Sequence, residues 1–529
     1  MASRGGLSKH TLIYAVGNII NRAVSFILIP LYTYRLSRAD YGVLEMADVT
    51  VALLAQLLGF GIGGAMVRFY FDTEDELTRK RLAATTQLFF AAFLGIVTFG
   101  LGCFAPTLSP LVFGRGDFDT AFRLAMAILF LTGVGEVPLS LMKAERRSTL
   151  FISLALSKLV FEVGLKVYLI VVLEYRWYGA LFGSVVAWSV FATLPALWLL
   201  RRTGFHFAPA VVKRLVLFCS PLIISGVASF ALHSADRFML RSFFPGDAEE
   251  SRGEVGIYAL AYRLGYVMNF LILDPFLLIW FPFIFAIKNE AEQKHTIARA
   301  ASYVVAAMVF GSLALAIGAR DVVALMASPE YATAGALVPI VLLGYVFWAA
   351  YQLIHTPLFI LKRTGRLPLI VGIAAATNIG LNALWIPRWG AAGAAWATVI
   401  AFALLAVVAF RFVRRLFVVR YEWARLCLPL ALAIGIFVAF EQVRPAALLP
   451  RLALAALAIL SFPLILGLSG FVRRDEWLRV SELWHTIRSR WPPGSSAGST
   501  PSSEPRSGNR ASNSEPATSV ASVPVSHDR

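Results

Sequence analysis

Apolar windows of about 20 residues recur along the chain from residue 11 to residue 470, separated by short polar stretches. A bilayer core about 30 Å thick needs roughly 20 apolar residues for each spanning helix. Of the 529 residues 58% are hydrophobic and 15% charged, and the mean hydropathy is +0.71. A soluble domain needs far more polar surface than this composition provides. The pattern therefore predicts an all-α polytopic membrane protein.

We predict about 14 transmembrane helices from these windows. They cover 11–33, 43–67, 83–104, 118–141, 150–173, 178–200, 215–234, 255–287, 297–319, 334–361, 367–387, 391–412, 423–441 and 448–471. The span 255–287 is long for one crossing. We expect Asp274-Pro275 and Pro282 to bend it, because proline removes a backbone hydrogen bond and clashes with the preceding turn.

The basic residues lie mainly in alternate loops. The side that takes both termini and the loops after the even-numbered spans carries roughly 29 Lys and Arg, against roughly 11 on the other side. The positive-inside rule then places both termini in the cytoplasm. The net charge of +17 is on this interpretation an orientation signal, and we predict no nucleic-acid partner.

The chain carries no signature of a soluble catalytic or metal site. It has no P-loop, so we expect no ATP hydrolysis on this chain. The three cysteines share no metal-ligand spacing and fall inside apolar stretches, where we expect them to be small core residues. They are Cys103, Cys219 and Cys427. We therefore predict no enzyme, no cofactor and no bound metal.

An internal duplication relates the two halves of the chain. Three segment pairs match in the same order, at offsets of 219, 216 and 211 residues. A repeated unit with an even number of spans keeps its orientation, so the units are related by a pseudo-two-fold axis along the membrane normal. The matched pairs are 138–147 with 357–366, 162–166 with 378–382, and 178–180 with 389–391.

This duplication predicts the domain organisation. Residues 1–200 and 201–415 each form a six-helix bundle, and the two bundles enclose a cavity with alternating access. Residues 416–471 add two transmembrane helices. Residues 472–529 form a cytoplasmic tail, which we expect to be disordered from about residue 492 because it has almost nothing apolar to bury.

Several N-terminal motifs are typical of one transporter family. They are Gly17-Asn18, Ile29-Pro30-Leu31, Leu36, Asp40-Tyr41-Gly42, Gly59, Gly61 and 67–71, followed by the aromatic-Gly-Ala helix starts at 178 and 389. Over roughly residues 8–470 the chain resembles the polysaccharide (oligosaccharide) flippases of the multidrug/oligosaccharidyl-lipid/polysaccharide exporter superfamily. The resemblance implies a bacterial inner-membrane protein that moves a polyprenyl-pyrophosphate-linked sugar, a precursor of surface polysaccharide such as O-antigen, from the inner to the outer leaflet.

The resemblance implies the lipid-linked oligosaccharide and the membrane lipids as partners. A polysaccharide polymerase or glycosyltransferases stay open as partners. In related peptidoglycan-precursor flippases two extra C-terminal helices help to form a groove for the lipid tail, and residues 416–471 are candidates for the same role.

Cations inside the membrane are the candidates for binding the anionic pyrophosphate. A bare negative charge is costly inside the membrane, so the head group needs positively charged partners there. Arg22 lies near the middle of the first span and Arg263 in the first half of the eighth. Related lipid flippases carry functional arginines in these two helices. The two residues either contact the head group or form a salt bridge between helices. Arg68, at the end of the second span, is either a substrate contact or an ordinary positive-inside anchor.

Lys158, Glu162 and Lys166 are spaced i, i+4 and i+8 and so share one helical face. They leave one net positive charge, which either faces the cavity or belongs to a polar clamp between helices. At the matching positions of the second half, Asn378 and Asn382 either bind sugar hydroxyls or hold helices together.

Acidic residues in the spans are candidates for coupling transport to an ion. A carboxylate beside a cavity takes up a proton or Na⁺, whereas the alternative is a salt bridge to a nearby cation. We expect His233 and His355 to be polar helix residues. The acidic candidates are Glu45, Asp48, Glu136, Glu162 and Asp274.

Three alternatives stay open. A multidrug antiporter of the same superfamily needs an acidic cavity for organic cations, whereas the deepest charges here lean basic. A lipid II flippase would use a similar cavity. A membrane glycosyltransferase or a polysaccharide polymerase or ligase would need a sizeable outer domain, and the longest predicted outer loop, 235–254, has about 20 residues.

Overall fold

The computed structural model describes residues 26, 28–59, 61–114 and 117–471, without the side chains of 222, 224 and 225. Within these ranges the chain is helical and contains no strand. The prediction of an all-α membrane protein is confirmed. Most of the first predicted span, with Arg22, and the tail from 472 lie outside the described residues.

The helices follow one another with short connections. A helical segment at 28–35 precedes α1 (Arg38–Leu57), α2 (Ile62–Phe71), α3 (Glu76–Cys103), α4 (Ala105–Phe113), α5 (Asp119–Ala144), α6 (Ser148–Val167), α7 (Arg176–Thr203), α8 (Pro209–Phe243), α9 (Ala248–Gly265), α10 (Asp274–Ala286), α11 (Glu290–Met326), α12 (Ala334–Ile354), α13 (Thr356–Ile360), α14 (Leu367–Arg414), α15 (Trp423–Val443) and α16 (Leu448–Leu468). Single π-helical turns cover Tyr168–Val172 and Asn269–Leu273, and 3₁₀ turns cover Pro329–Tyr331 and Thr364–Arg366.

Membrane-crossing helices account for the length of the described chain. Within the described residues, 9 helices are long and apolar enough to cross a bilayer, or up to 11 if each of two bent pairs is one span. The α14 region contains two predicted spans, 367–387 and 391–412, which meet at a kink at Gly390. Helices thus occupy the predicted spans from 43–67 to 448–471.

The long span 255–287 is interrupted just before Pro275, whereas Pro282 lies inside the regular helix α10. Regular helix α9 ends at Gly265, a π-helical turn covers Asn269–Leu273, and α10 begins at Asp274 with Pro275 in its first turn. Proline has no backbone N–H to donate, so the preceding turn needs another hydrogen-bonding pattern.

The backbone repeats at the offset that the sequence matches predict. Arg146 and Lys362 both adopt a left-handed conformation, with φ values of 56° and 55°. Glu174 and Gly390 do the same, with φ values of 56° and 54°. Each pair is 216 residues apart, the offset that separates 162–166 from 378–382. Non-glycine residues rarely adopt this conformation, so its repetition supports an internal duplication.

Helix α8 packs against both halves of the chain. Its two parts, Pro209–Pro221 and Gly226–Phe243, meet at a bend of 53°. Leu215 and Cys219 belong to a hydrophobic core with residues of α2, α3, α5 and α7. Helix α8 also packs extensively along α14. The part of α8 from Gly226 to Phe243 carries Arg237, which lines the cavity described below.

The predicted outer loop 235–254 is wrong. Helix α8 continues to Phe243 and α9 begins at Ala248, so only residues 244–247 connect them. The charged residues Asp236 and Arg237 ended the apolar window, but they lie inside α8, where Arg237 pairs with Asp236 and with Glu45 of α1.

The prediction that all three cysteines are core residues is also wrong. Cys219 is buried, whereas Cys103 and Cys427 are exposed on the surface of their helices. The lipid-facing side of a membrane helix is as apolar as its packed side. An apolar window therefore does not distinguish the core from the lipid-facing surface.

Candidate functional site

A cavity of about 570 Å³ lies between the two halves. The helical segment at 28–35 and helices α1, α6 and α7 line it from the N-terminal half. Helices α8, α9 and α12 and the π-helical turn at Asn269–Leu273 line it from the C-terminal half. Among the described residues, four basic and three acidic side chains face it. They are Glu45, Asp48, Lys158, Glu162, Lys166, Arg237 and Arg263.

The α6 ladder, which we define as Lys158, Glu162 and Lys166, forms one wall of the cavity. Lys158 Nζ lies 2.6 Å from Glu162 Oε2, and Lys166 Nζ lies 2.7 Å from Glu162 Oε1. From α7, Ser184 Oγ donates a hydrogen bond of 2.9 Å to Glu162 Oε1. The i, i+4, i+8 spacing therefore places the three side chains on one face, as the sequence predicts. One carboxylate shared by two ammonium groups leaves one net positive charge.

Glu45 joins two arginines of the C-terminal half. Its Oε1 lies 3.4 Å from Arg237 Nε, and its Oε2 lies 3.4 Å from Arg263 Nη2. Arg263 Nη2 also lies 3.6 Å from Asp48 Oδ2, and its guanidinium stacks over the ring of Tyr41 at 5.0 Å. Strong charge-assisted hydrogen bonds are about 2.7–2.9 Å long. Arg263 is therefore held loosely by both carboxylates.

Arg237 is a cavity cation that the sequence analysis missed. Its Nη1 donates to Asp236 Oδ1 at 2.8 Å and to the carbonyl of His233 at 2.6 Å. Its guanidinium also stacks over the rings of Tyr258 and Tyr262, and Tyr258 donates its hydroxyl to Asp236. Arg237 is thus fixed in place. One sequence signal for Arg237 was available. It lies four residues after His233, which is one helical turn further along α8 and just beyond the end of the predicted span.

The charged groups of the cavity differ in their access to solvent. The side chain of Asp48 is 65% exposed and that of Arg263 is 30% exposed. Arg237, Glu45 and the α6 ladder are mostly covered. Arg263 and Asp48 therefore have the largest exposed fractions among these charges.

Tyrosines form the wall opposite the α6 ladder. Tyr262 and Tyr266 belong to α9 and its C-terminal end, and Tyr345 belongs to α12. The rings of Tyr266 and Tyr345 lie 5.9 Å apart and nearly perpendicular, and those of Tyr262 and Tyr345 lie 6.3 Å apart. The cavity thus has a charged wall and an aromatic wall.

The asparagine pair of the second half lies outside the cavity lining. Asn378 Nδ2 donates to Thr398 Oγ1 at 3.2 Å, and Asn382 Nδ2 donates to Asn378 Oδ1 at 2.9 Å. Both asparagines are fully buried. Of the two predicted roles, this geometry agrees with joining two parts of α14, before and after the kink.

The other two basic candidates are not brought to the cavity within the described residues. Arg68 lies at the end of α2, exposed, and its guanidinium stacks over the ring of Phe218 at 5.3 Å. Arg22 lies outside the described residues, so its role stays a prediction.

Two acidic candidates also lie away from the cavity lining. Glu136 in α5 accepts a hydrogen bond of 3.3 Å from Ser140 Oγ. Asp274 accepts one of 3.3 Å from the hydroxyl of Tyr266, a residue that does line the cavity. Asp274 therefore contacts the aromatic wall without lining the cavity itself.

Both histidines pack against aromatic rings. The ring of His233 lies 4.7 Å from that of Trp348, and the ring of His355 lies 4.5 Å from that of Tyr351. Neither lines the cavity.

Helices α1 and α9 pack closely together at their N-terminal ends. A Cβ atom at Gly42 would overlap the carbonyl of Arg252, and one at Gly256 would overlap the carbonyl of Arg38. The two backbones are therefore in direct contact, which only glycine permits at these positions. Further into the membrane the same helices present Glu45 and Arg263 to the cavity.

Near these helix ends, two arginines of the C-terminal half bind α4. Arg241 Nη2 donates to the carbonyl of Pro110 at 2.9 Å, and Arg252 Nη1 donates to that of Phe113 at 3.0 Å. Both bonds cap carbonyls at the C-terminal end of α4, where cations are favourable.

The charged groups and aromatic rings of the cavity are suited to binding a ligand. Among the described residues, no group of three or more His, Cys, Asp or Glu side chains could hold a metal ion. Arginine and lysine in a confined cavity bind anions such as phosphate, and aromatic rings supply apolar contact area.

Solved structures with the same fold are transporters. The chain is similar to "Lipid II flippase MurJ, inward closed conformation", with a TM-score of 0.69, 13% identity, and coverage of 86% of this chain and 98% of that one. It is similar to an inward-facing multidrug resistance MATE family transporter of the MOP superfamily, with a TM-score of 0.62, 13% identity, and coverage of 75% and 97%.

A third similar structure is a MOP superfamily transporter from Pyrococcus furiosus described as having a binding pocket of reverse polarity. Its TM-score is 0.52, with 14% identity and coverage of 77% of this chain and 95% of that one. At these identities the likeness shows the fold. A search of curated protein sequences found no match.

The sequence itself matches a family of known description. The family model "Polysaccharide biosynthesis protein" matches residues 7–288, which is more than half of the 529 residues. This range includes α1, α6, α8 and α9, which carry every charged residue of the cavity. The chain therefore belongs to the polysaccharide biosynthesis protein family.

Proposed function

We propose that this protein is a flippase for a polyprenyl-pyrophosphate-linked oligosaccharide. It moves this surface-polysaccharide precursor from the inner to the outer leaflet of the bacterial cytoplasmic membrane by alternating access. Family membership and the transporter fold support the class of protein. The observation that carries the proposal is an accessible but loosely held Arg263 in a cavity with an excess of basic side chains.

The pyrophosphate binds first at Arg263. The guanidinium lies 3.4 Å from Glu45 and 3.6 Å from Asp48, so a phosphate that approaches more closely replaces weak contacts by short ones. Arginine binds phosphate through two parallel hydrogen bonds. The net positive charge of the α6 ladder, on the facing wall, attracts the second phosphate.

Asp48 couples this exchange to an ion. A phosphate that takes over Arg263 leaves the exposed carboxylate of Asp48 without its cation. A carboxylate in that position favours uptake of H⁺ or Na⁺. Binding of the anionic head group and binding of the cation therefore favour each other at this pair.

The glycan contacts the aromatic wall and the lipid tail lies outside the cavity. Tyr262, Tyr266 and Tyr345 offer flat rings and hydroxyl groups to a sugar. For the tail, an apolar groove of about 330 Å³ runs between α11, α12 and α15 and includes Ala433 and Phe437.

An ionic network supports that groove by fixing the last two helices. Arg444 pairs with Glu441 at 3.0 Å and with Asp321 at 3.1 Å, and Arg451 pairs with Asp321 at 2.9 Å. Arg320 pairs with Glu441 at 2.9 Å. The network joins α11 to α15 and α16, so the additional helices hold a defined position.

The test is binding of a polyprenyl-pyrophosphate oligosaccharide to the purified protein in nanodiscs. We expect Arg263→Gln to weaken binding about tenfold or more, because a hydrogen bond to a charged group contributes about 1.5–3 kcal/mol. Arg388→Gln is the control, because Arg388 is exposed on α14 and does not line the cavity. Equal losses in both variants, or no loss in either, would contradict the proposal.

A multidrug antiporter is the second candidate, and one observation favours it. The most exposed charge in the cavity is the carboxylate of Asp48, which would attract an organic cation. In the same nanodiscs, binding of tetraphenylphosphonium that depends on Asp48, without binding of the lipid-linked sugar, would establish this function. A comparison of lipid II with a surface-polysaccharide precursor separates the two flippase alternatives.

A further inference from the structure

A second large groove opens between α3 and α5, away from the central cavity. Its volume is about 530 Å³, close to that of the cavity itself. The two sites share no lining residue. The residues that shape the groove are Gly95, Thr98, Gly102, Cys103, Arg123 and Phe130.

Two glycines, which carry no side chain, leave the space that forms this groove. A Cβ atom at Gly102 would meet no atom within 4 Å. A Cβ atom at Gly95 would only touch the ring of Phe130, at 3.5 Å. The nearby side chains of Phe99 and Cys103 are exposed. The groove is therefore an open apolar slot on a lipid-facing surface, with room that the protein itself does not fill.

A single cation stands at one end of the slot. Arg123 is exposed, and its Nε makes one long contact of 3.4 Å with the carbonyl of Gly102. Within the described ranges, Arg123 forms no ion pair. Asp119, one turn earlier, instead accepts a hydrogen bond of 2.6 Å from Ser109. The guanidinium is therefore available to an anion.

The charge and the slot are arranged along the membrane normal. Arg123 lies in the second turn of α5, close to a helix end, where arginine reaches the membrane surface. Phe130 lies two turns deeper, about 10 Å along the helix axis at 1.5 Å per residue. An anion-binding group at the surface with an apolar slot beneath it matches the layout of a glycerophospholipid.

We propose that this groove binds an anionic glycerophospholipid. The phosphate contacts Arg123, and one acyl chain lies between α3 and α5 against Gly95 and Gly102. This site is separate from the proposed transport cavity and does not depend on the substrate. The bound lipid fills space between two helices of the N-terminal half and so stabilises their packing.

Native mass spectrometry of the full-length protein, titrated with phosphatidylglycerol or phosphatidylcholine, tests the proposal. We expect wild type to retain phosphatidylglycerol at least fivefold more strongly than phosphatidylcholine. Arg123→Gln should remove this preference, and Gly102→Leu should reduce retention of both lipids because leucine occupies the slot.

Two matched controls keep the test specific. Gly100→Leu adds the same side chain to α3 at a position with open space that does not line the groove. Arg388→Gln removes an exposed arginine elsewhere. Both should behave as wild type. The proposal is overturned if wild type shows no preference for the anionic lipid, if Arg123→Gln keeps it, or if a polyprenyl phosphate displaces phosphatidylglycerol at equimolar concentration.

Discussion

The two halves carry the same polar arrangement in different surroundings. In α6, Glu162 and Lys166 form an ion pair at i, i+4 spacing, and Ser184 on the next helix donates a hydrogen bond to Glu162. In α14, Asn378 and Asn382 interact at the same spacing, and Asn378 bonds to Thr398 beyond the kink. The first pair is charged and remains 13–14% exposed at the cavity, whereas the second is neutral and 0% exposed.

The difference shows that burial decides whether a repeated position can carry charged side chains or only neutral polar ones. A charged pair is tolerated beside the open cavity because Lys158 and Ser184 also contact Glu162. A fully buried position favours neutral amides, since an uncompensated buried charge costs several kcal/mol. Here Asn382 bonds to Asn378 and Asn378 to Thr398, and among the described residues only Asn382 Oδ1 of this pair has no protein partner. The two halves thus share a polar pair at i, i+4 spacing. Of these two pairs, only the pair in the N-terminal half is charged and faces the cavity.

The largest effect should come from placing a charge in the buried pair. We expect Asn378→Asp to lower the free energy of unfolding by about 3 kcal/mol or more, because it creates a buried charge without a cation. Thermal unfolding in detergent measures this loss. The reverse neutralisation, Glu162→Gln, should cost clearly less because the α6 ladder is partly hydrated. Equal stability of Asn378→Asp and wild type would contradict the comparison.

Replacing Lys166 of the charged pair by asparagine, the residue type of the neutral pair, should weaken substrate binding. We expect Lys166→Asn to lower the affinity for the lipid-linked oligosaccharide about tenfold, or about 1.4 kcal/mol, and to reduce its dependence on salt. Glu162 keeps Lys158 and Ser184 as partners, so folding should be retained. The matched variant Asn382→Ala should leave the affinity unchanged. A loss in Asn382→Ala alone would assign binding to the other half.

Releasing the two lysines should strengthen anion binding. In Glu162→Gln the cavity loses the carboxylate that Lys158 and Lys166 share. We expect the affinity for the anionic lipid to rise about threefold, with a steeper decrease as salt is added, because surface-accessible charges are screened. Binding titrations at two ionic strengths measure both changes. An affinity below that of wild type would mean that Glu162 itself contacts the substrate.

The smallest effects concern the hydroxyl partners. Ser184→Ala removes one of three groups around Glu162, and we expect a cost of about 0.5 kcal/mol in stability. Thr398→Ala leaves the buried amide of Asn378 without its acceptor, and we expect about 1–2 kcal/mol. Parallel thermal unfolding curves give the order of the two costs, and the opposite order would contradict the assigned burial.

Local features of the site follow from sequence because helical spacing determines them. Lys158, Glu162 and Lys166 had to share a face once α6 was predicted. The duplication also follows from short matches, and the left-handed residues repeat at the same offset. These inferences need only the geometry of one helix or a comparison of two segments.

Tertiary features did not follow from sequence. The C-terminal end of α8 around Arg237 was missed because its charge ended the apolar window, whereas Asp236 and Glu45 compensate this charge in the fold. The burial of Asn378 depends on which face of α14 meets its neighbours, which one helix cannot reveal. Arg22 lies outside the described residues and stays a prediction.

The central claim is that the anionic head group binds at the charged wall and at Arg263. The most direct measurement is photocrosslinking of a polyprenyl-pyrophosphate oligosaccharide with a diazirine on its first sugar, followed by peptide mapping in nanodiscs. The account predicts labels in α6 near 158–166 and in α9 near Arg263, competed by unlabelled lipid. Labels confined to α14 near 378–398, or labels that unlabelled lipid does not compete, would contradict it.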